Sequence, residues 1–266
     1  MKKLSVFAIA IAAVVFAACT GNKTKTQDVP EEEKSFEQEQ IEASIKMHID
    51  SIAADLGKLK QLPFVQEDNG GLTLTAEEKQ VKPDYLLDPK VAEEATTLAE
   101  KYRILSALNV DKRIAALYEM PTDEYDKAIS KLAADINDPS FKVLDDANSI
   151  FETTSALYDA MNENGRINQF WQTAAAALVE QLFIVNQNTE KFLSVFNDEA
   201  ASNVTYRIVL ILDAVDRLSN YDPEIKPIAE AIAPLKVLNA TSLDELKSQL
   251  AEAKDNIAAA RKALVK

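Results

Sequence analysis

The chain has 266 residues, with 43 acidic against 29 basic side chains and a formal net charge of −14. A surface this acidic repels phosphate backbones and anionic headgroups, which argues against nucleic acid as a partner and against membrane attachment through a basic patch. Hydrophobic residues make up 47% of the chain, glycines number 5 and there is one cysteine, so any core must come from apolar burial without a disulfide. Alanine, leucine, glutamate, lysine and isoleucine dominate, a helix-forming vocabulary, and the expected fold class is all-α.

Lys2 and Lys3 form a short positive stretch, Leu4 to Val15 follow without a charge, and Phe16-Ala17-Ala18 lead into Cys19. The apolar run is short for a bilayer span, and small residues at its end suit cleavage. Residues 1–18 therefore read as a signal peptide. Phe16-Ala17-Ala18-Cys19 resembles the lipobox of Gram-negative lipoproteins, with Phe16 where most have leucine, a relaxation familiar in lipoproteins of the Bacteroidetes. The remainder of the chain resembles uncharacterised helical lipoproteins of that phylum. The resemblance implies lipidation of Cys19 and anchoring to the outer membrane by several acyl chains, an attachment that is effectively permanent. No acidic run follows Cys19, so the expected orientation is towards the periplasm rather than the cell surface. Residues 19–30 are polar and read as a flexible tether, reaching roughly 20 Å as a random coil.

Residues 31–266 are expected to form one helical domain of about eight or nine helices, with one irregular region at 63–88. Ile41, Ile45, Ile49, Ile52, Leu56 and Leu59 recur at helical spacing and predict a first helix from Glu31 to Leu62, ended by Pro63. Asn69-Gly70-Gly71 predicts a turn, Leu72-Thr73-Leu74 a loop laid on the bundle, and Thr75 with Glu78 a capping box. Asp88-Pro89 reads as a helix start, with a stripe from Val91 to Leu108 and a break near Asn109 before a stop at Pro121. Helices are expected from Thr122 to Ile136 and from Phe141 to Asn164, the latter closed by Gly165. One long helix is predicted from Ile167 to Phe196, another from Ala200 to Asn220, and the dense apolar run Ile208 to Leu212 marks the latter as the central one. A shorter helix near Ile228 to Leu238 and a last one opened by Ser242 and Glu245 complete the set. Tyr102-Arg103-Ile104-Leu105 echoes Tyr206-Arg207-Ile208-Val209, the pattern an internal duplication would leave.

The candidate chemistry is sparse. His48 is the one histidine, and with Cys19 acylated no set of soft or imidazole donors remains, so neither a metal site nor a cofactor is expected. Asn162 to Asn168 imitates the middle of a calcium loop, yet its first and last ligand positions would be Ala160 and Trp171, and a helix end on Gly165 explains the pattern. Trp171, Tyr158, Asn168 and Gln172 combine aromatic faces with amides, a composition suited to a glycan or peptide and the best binding candidate in the chain, although the favoured reading is that Trp171 and Phe170 fill a helix junction. Asp145-Asp146, or Asp213 with Asp216, would suit a hydrolase only across a cleft, and Asp213 with Arg217 has the spacing of a helix ion pair. The expectation is a non-catalytic, lipid-anchored envelope protein that binds a partner protein or organises an assembly. A ligand-binding lipoprotein using the Trp171 region and a carboxylate-dependent envelope hydrolase are the alternatives.

Overall fold

A computed structural model of the chain describes residues 36–59, 71–144 and 154–265. Among them are eleven α-helices and no strand, an all-α multi-helix bundle. The helices are α1 (Phe36–Lys58), α2 (Ala76–Gln80), α3 (Leu98–Leu117), α4 (Asp123–Ile136), α5 (Thr154–Glu163), α6 (Ile167–Gln187), α7 (Thr189–Phe192), α8 (Asp198–Leu218), α9 (Lys226–Ile232), α10 (Leu243–Glu252) and α11 (Lys254–Leu264). Nine of them have seven or more residues. The extra short helices arise where the expected long ones break, at Asn188 between α6 and α7 and at Ala253 between α10 and α11.

The central element is α6, not the expected α8. α6 packs against α3, α5, α8 and α11, and buries residues on every side, from Phe170 and Trp171 to Ile184 and Val185. Four consecutive alanines, Ala174 to Ala177, let neighbours approach its axis closely. The apolar run of α8 misleads because Val209 within it is 48% exposed and Tyr206 is 45% exposed. That helix has one wet face.

The region before α3 also departs from expectation. Asp88 caps only a 3-10 turn at Pro89–Glu93, accepting from the Lys90 N–H at 2.9 Å. The long helix starts at Leu98, where Thr97 and Glu100 form a reciprocal capping box. It then runs without a break through Asn109, whose side-chain amide donates back to the Leu105 carbonyl and stays inside the helix. The capping box at Thr75 and Glu78 is present, and Leu72 lies buried in the loop before it. Asn137 closes α4 in the left-handed region at φ 49°. Gly165, at φ 67°, lets the chain reverse between α5 and α6, a conformation that suits a residue without Cβ. A 3-10 turn covers Pro139–Leu144; the middle of the helix expected from Phe141 to Asn164 lies outside the described residues, as do Glu31, Pro63 and Asn69-Gly70.

The repeated tetrapeptide survives only in part. Arg103 of α3 and Arg207 of α8 are both buried towards α6, but Tyr102 is fully buried with its hydroxyl on Asp138, whereas Tyr206 faces outward.

Candidate functional site

Two polar arrangements stand out, one sealed inside the bundle and one open at its surface. The sealed one gathers Asp111 from α3, Glu180 from α6 and Arg261 from α11. Arg261 forks onto Glu180, with Nε to Oε2 at 2.8 Å and Nη2 to Oε1 at 2.7 Å, and its guanidinium lies 3.9 Å from the Phe183 ring centroid. Asp111 Oδ2 accepts the Leu87 N–H at 2.7 Å and stands 3.8 Å from Arg261 Nη2. Burial, reinforced by the Glu180 charge beside it, holds the Asp111 carboxyl well above the usual carboxylate range. Glu180 takes the guanidinium, and burial together with that neighbouring charge favours a proton on Asp111. Both residues are at most 1% exposed, so this pair pins α3, α6, α11 and the Leu87 segment together and opens onto no cleft. Tyr125 extends the pin, donating to the Leu87 carbonyl at 2.9 Å.

A second internal cross-link lies one end of α6 away. Arg103 donates from Nε to the Leu264 carbonyl at 2.9 Å and from Nη1 to Gln172 Oε1 at 2.6 Å, and the Ser106 hydroxyl donates to the Thr173 carbonyl at 3.0 Å. Beside it Arg207, lowered to about 10 by burial, lines a small cavity of about 30 Å³ together with Gln181.

The open arrangement is a groove of about 540 Å³ where α1, the start of α6 and the end of α8 meet. Its apolar surface comes from Ile45 and Ile49 of α1, Ile167 of α6 and Leu218 of α8. Tyr221, just past α8, lines it at 51% exposure. Polar residues ring the apolar patch. Lys46 reaches Asp50 at 2.9 Å, and Asp50 also accepts the Tyr158 hydroxyl at 2.6 Å. Burial opposes ionisation of Asp50, but those two donors hold its carboxyl below the usual range. Across the groove the Asn168 amide donates to Asp222, whose other oxygen accepts the Glu224 N–H at 2.8 Å. Further along the seam between α1 and α8, Asp213 accepts from Arg217 Nε at 3.0 Å, the expected helix pair, and faces His48 Nε2 at 3.3 Å.

The expected Trp171 surface is not on the surface. Trp171 is 0% exposed, edge-on to Phe170 and Tyr158 at centroid distances of 5.2 and 6.2 Å, so its ring faces are spent on the junction of α5 and α6. Gln172 is equally buried and committed to Arg103, and Tyr158 is 4% exposed. Of the four residues proposed for ligand contact, Asn168 lines the groove, while the other three are buried. His48 is exposed beside Asp213. Asn164 of the calcium-loop imitation donates to Ser140 Oγ and the Ala160 carbonyl, an ordinary helix-end role. Asp145, Asp146 and Cys19 lie outside the described residues.

Sequence reasoning missed the Asp111–Glu180–Arg261 centre and the groove. The signal for the first was present: Glu180 is the one charged residue in the stretch from Phe170 to Val185, which is mostly apolar. Among the described residues, no group of three or more His, Cys, Asp or Glu side chains is placed to hold a metal ion, and no helix is long and apolar enough to cross a membrane. No protein-family model matches the chain, and no curated protein or solved structure matches it either.

Proposed function

We propose that this chain is a non-catalytic, lipid-anchored protein of the cell envelope whose helical bundle docks a partner protein in the α1/α6/α8 groove. The observation that carries the reading is the groove itself, a concave apolar surface with an exposed tyrosine and a polar rim. Anchors of that kind, an aromatic beside an aliphatic pocket, concentrate binding energy at protein interfaces. Support for the anchor comes from the lipobox-like Phe16-Ala17-Ala18-Cys19. The groove uses the α1 segment from Glu42 to Ile49, close in the chain to the tether, so a partner bound there would be held near the outer membrane, on its periplasmic side. The ligand-binding alternative loses Trp171 as its stacking face, and the neighbouring carboxyls of Asp111 and Glu180 are buried rather than set across a cleft as the hydrolase alternative needs.

Two variants test the proposal in cells. Cys19→Ala should move the protein from the membrane to the soluble fraction; unchanged partitioning would overturn the anchor. Tyr221→Asp should stay at the membrane and lose its co-purifying partner; a partner retained at wild-type yield would remove the groove from the account.

A further inference from the structure

The groove offers more than shape, because charge and apolar surface are arranged together. Its apolar lining belongs to three separate helical segments, and about 540 Å³ lies in the range of sites that enclose a bulky side chain or a small ligand. Ile49 at its base is 1% exposed and belongs to the core, so the groove is built on the packed interior. Its charged lining residues are Glu42 and Lys46, and at its edge stand the carboxylates of Asp50, which Lys46 reaches, and Asp222, which accepts from Asn168. Tyr221 adds a half-exposed ring on which a guanidinium or an aliphatic stem can lie.

We propose that the groove takes an amphipathic segment of another protein that inserts one or two bulky apolar side chains between α1 and α8 and places lysine or arginine against the acidic rim. This deepens the docking reading and rests on it. Charge decides among the occupants. A second copy of this chain would bring a net charge of −14 onto a rim that is already acidic, and an acidic peptide or anionic lipid surface meets the same repulsion. A cationic segment gains steering from the whole surface and rim contacts on arrival. An apolar stripe at helical spacing then matches the groove as helix-in-groove recognition requires.

The test uses the full chain carrying Cys19→Ala, so that no acyl chain competes. Two fluorescein-labelled peptides share one leucine stripe at i, i+3, i+4 and i+7; one carries lysines on its polar face, the other glutamates. Anisotropy titration should show saturable binding of the lysine peptide that weakens with salt, and at least about ten-fold weaker binding of the glutamate peptide, a difference of about 1.4 kcal/mol. Tyr221→Ala and Ile45→Asp should each weaken the lysine peptide about ten-fold, while Asp123→Lys on α4 leaves it unchanged. Tyr221 is exposed, so its variant keeps the test decisive even if Ile45→Asp fails to fold. Absence of lysine-peptide binding, equal binding of both peptides, or equal loss with Asp123→Lys would overturn the inference. If a partner is lost with Tyr221→Asp in cells while the lysine peptide does not bind, the partner chemistry fails and the docking reading stands.

Discussion

Arg261 meets Glu180 through two nitrogens, Nε at 2.8 Å and Nη2 at 2.7 Å, inside a bundle where Glu180 is 1% exposed. That fork joins the last helix to the central one across 81 positions of sequence, and Asp111 stands beside it at 3.8 Å from Arg261 Nη2, with burial and the Glu180 charge favouring its protonated form. The arrangement predicts an asymmetry. Arg261→Met strands a buried Glu180 charge and should cost about 3–5 kcal/mol in urea unfolding. Asp111→Asn should cost less than about 1 kcal/mol, because an amide can donate to Glu180 and accept from the Leu87 N–H as the protonated acid does. Equal losses would mean that Asp111 is ionised.

The same proton gives a pH dependence. The Asp111 carboxyl has an ordinary value of 3.8 and is raised in the folded chain, so above pH 3.8 the native state holds a proton that the unfolded state has released. Its contribution to stability is fully present below 3.8 and falls as pH rises towards the folded value, by at most about 1.4 kcal/mol per pH unit. Wild type minus Asp111→Asn stability should therefore increase on going from pH 7 to pH 5. A difference that stays flat over that range would contradict the shared proton.

At the start of α3 the sign is opposite. Glu100 accepts from the Thr97 and Thr96 backbone N–H groups at 2.8 Å, which lowers it from 4.5 to about 2. Its contribution is present above pH 4.5 and is lost as pH falls through about 2. Thr97→Ala should cost about 1 kcal/mol at neutral pH and fray α3 from its first turn, visible as faster amide exchange there. Fraying that begins instead at the Lys90 amide would restore the longer helix suggested by the sequence.

Trp171 gives a direct optical check. A ring that is 0% exposed should emit as a buried indole and resist quenching by iodide, and glycans or peptides should leave its emission unchanged. Trp171→Ala should cost about 3–5 kcal/mol. Trp171→Phe should cost less, since the indole N–H makes no hydrogen bond among the described residues.

How much of this was legible in the chain differs by scale. Helix content and caps that depend on four neighbouring residues, such as Thr75 with Glu78 or the reversal at Gly165, are local and could be read directly. Which helix is central could not, because burial is decided by neighbours: Val209 sits in the densest apolar run yet faces water, while the alanines of α6 attract little notice and lie inside. Asp88-Pro89 misled because capping chemistry starts any helical turn, and the stronger box at Thr97 lies only nine positions further on. The groove was invisible for a different reason. Ile45, Asn168, Leu218 and Tyr221 are scattered over three helical segments, and only packing makes them one surface.

The most direct measurement is in-cell photocrosslinking from position 221 compared with position 127, an exposed site on α4, a helix that packs mainly on α3 and does not line the groove. A groove that docks a partner predicts one discrete adduct from position 221, absent from position 127 and lost when Ile45→Asp is added. Equal adducts from both positions, or none from position 221 in a protein shown to be folded and membrane-bound, would contradict the docking account.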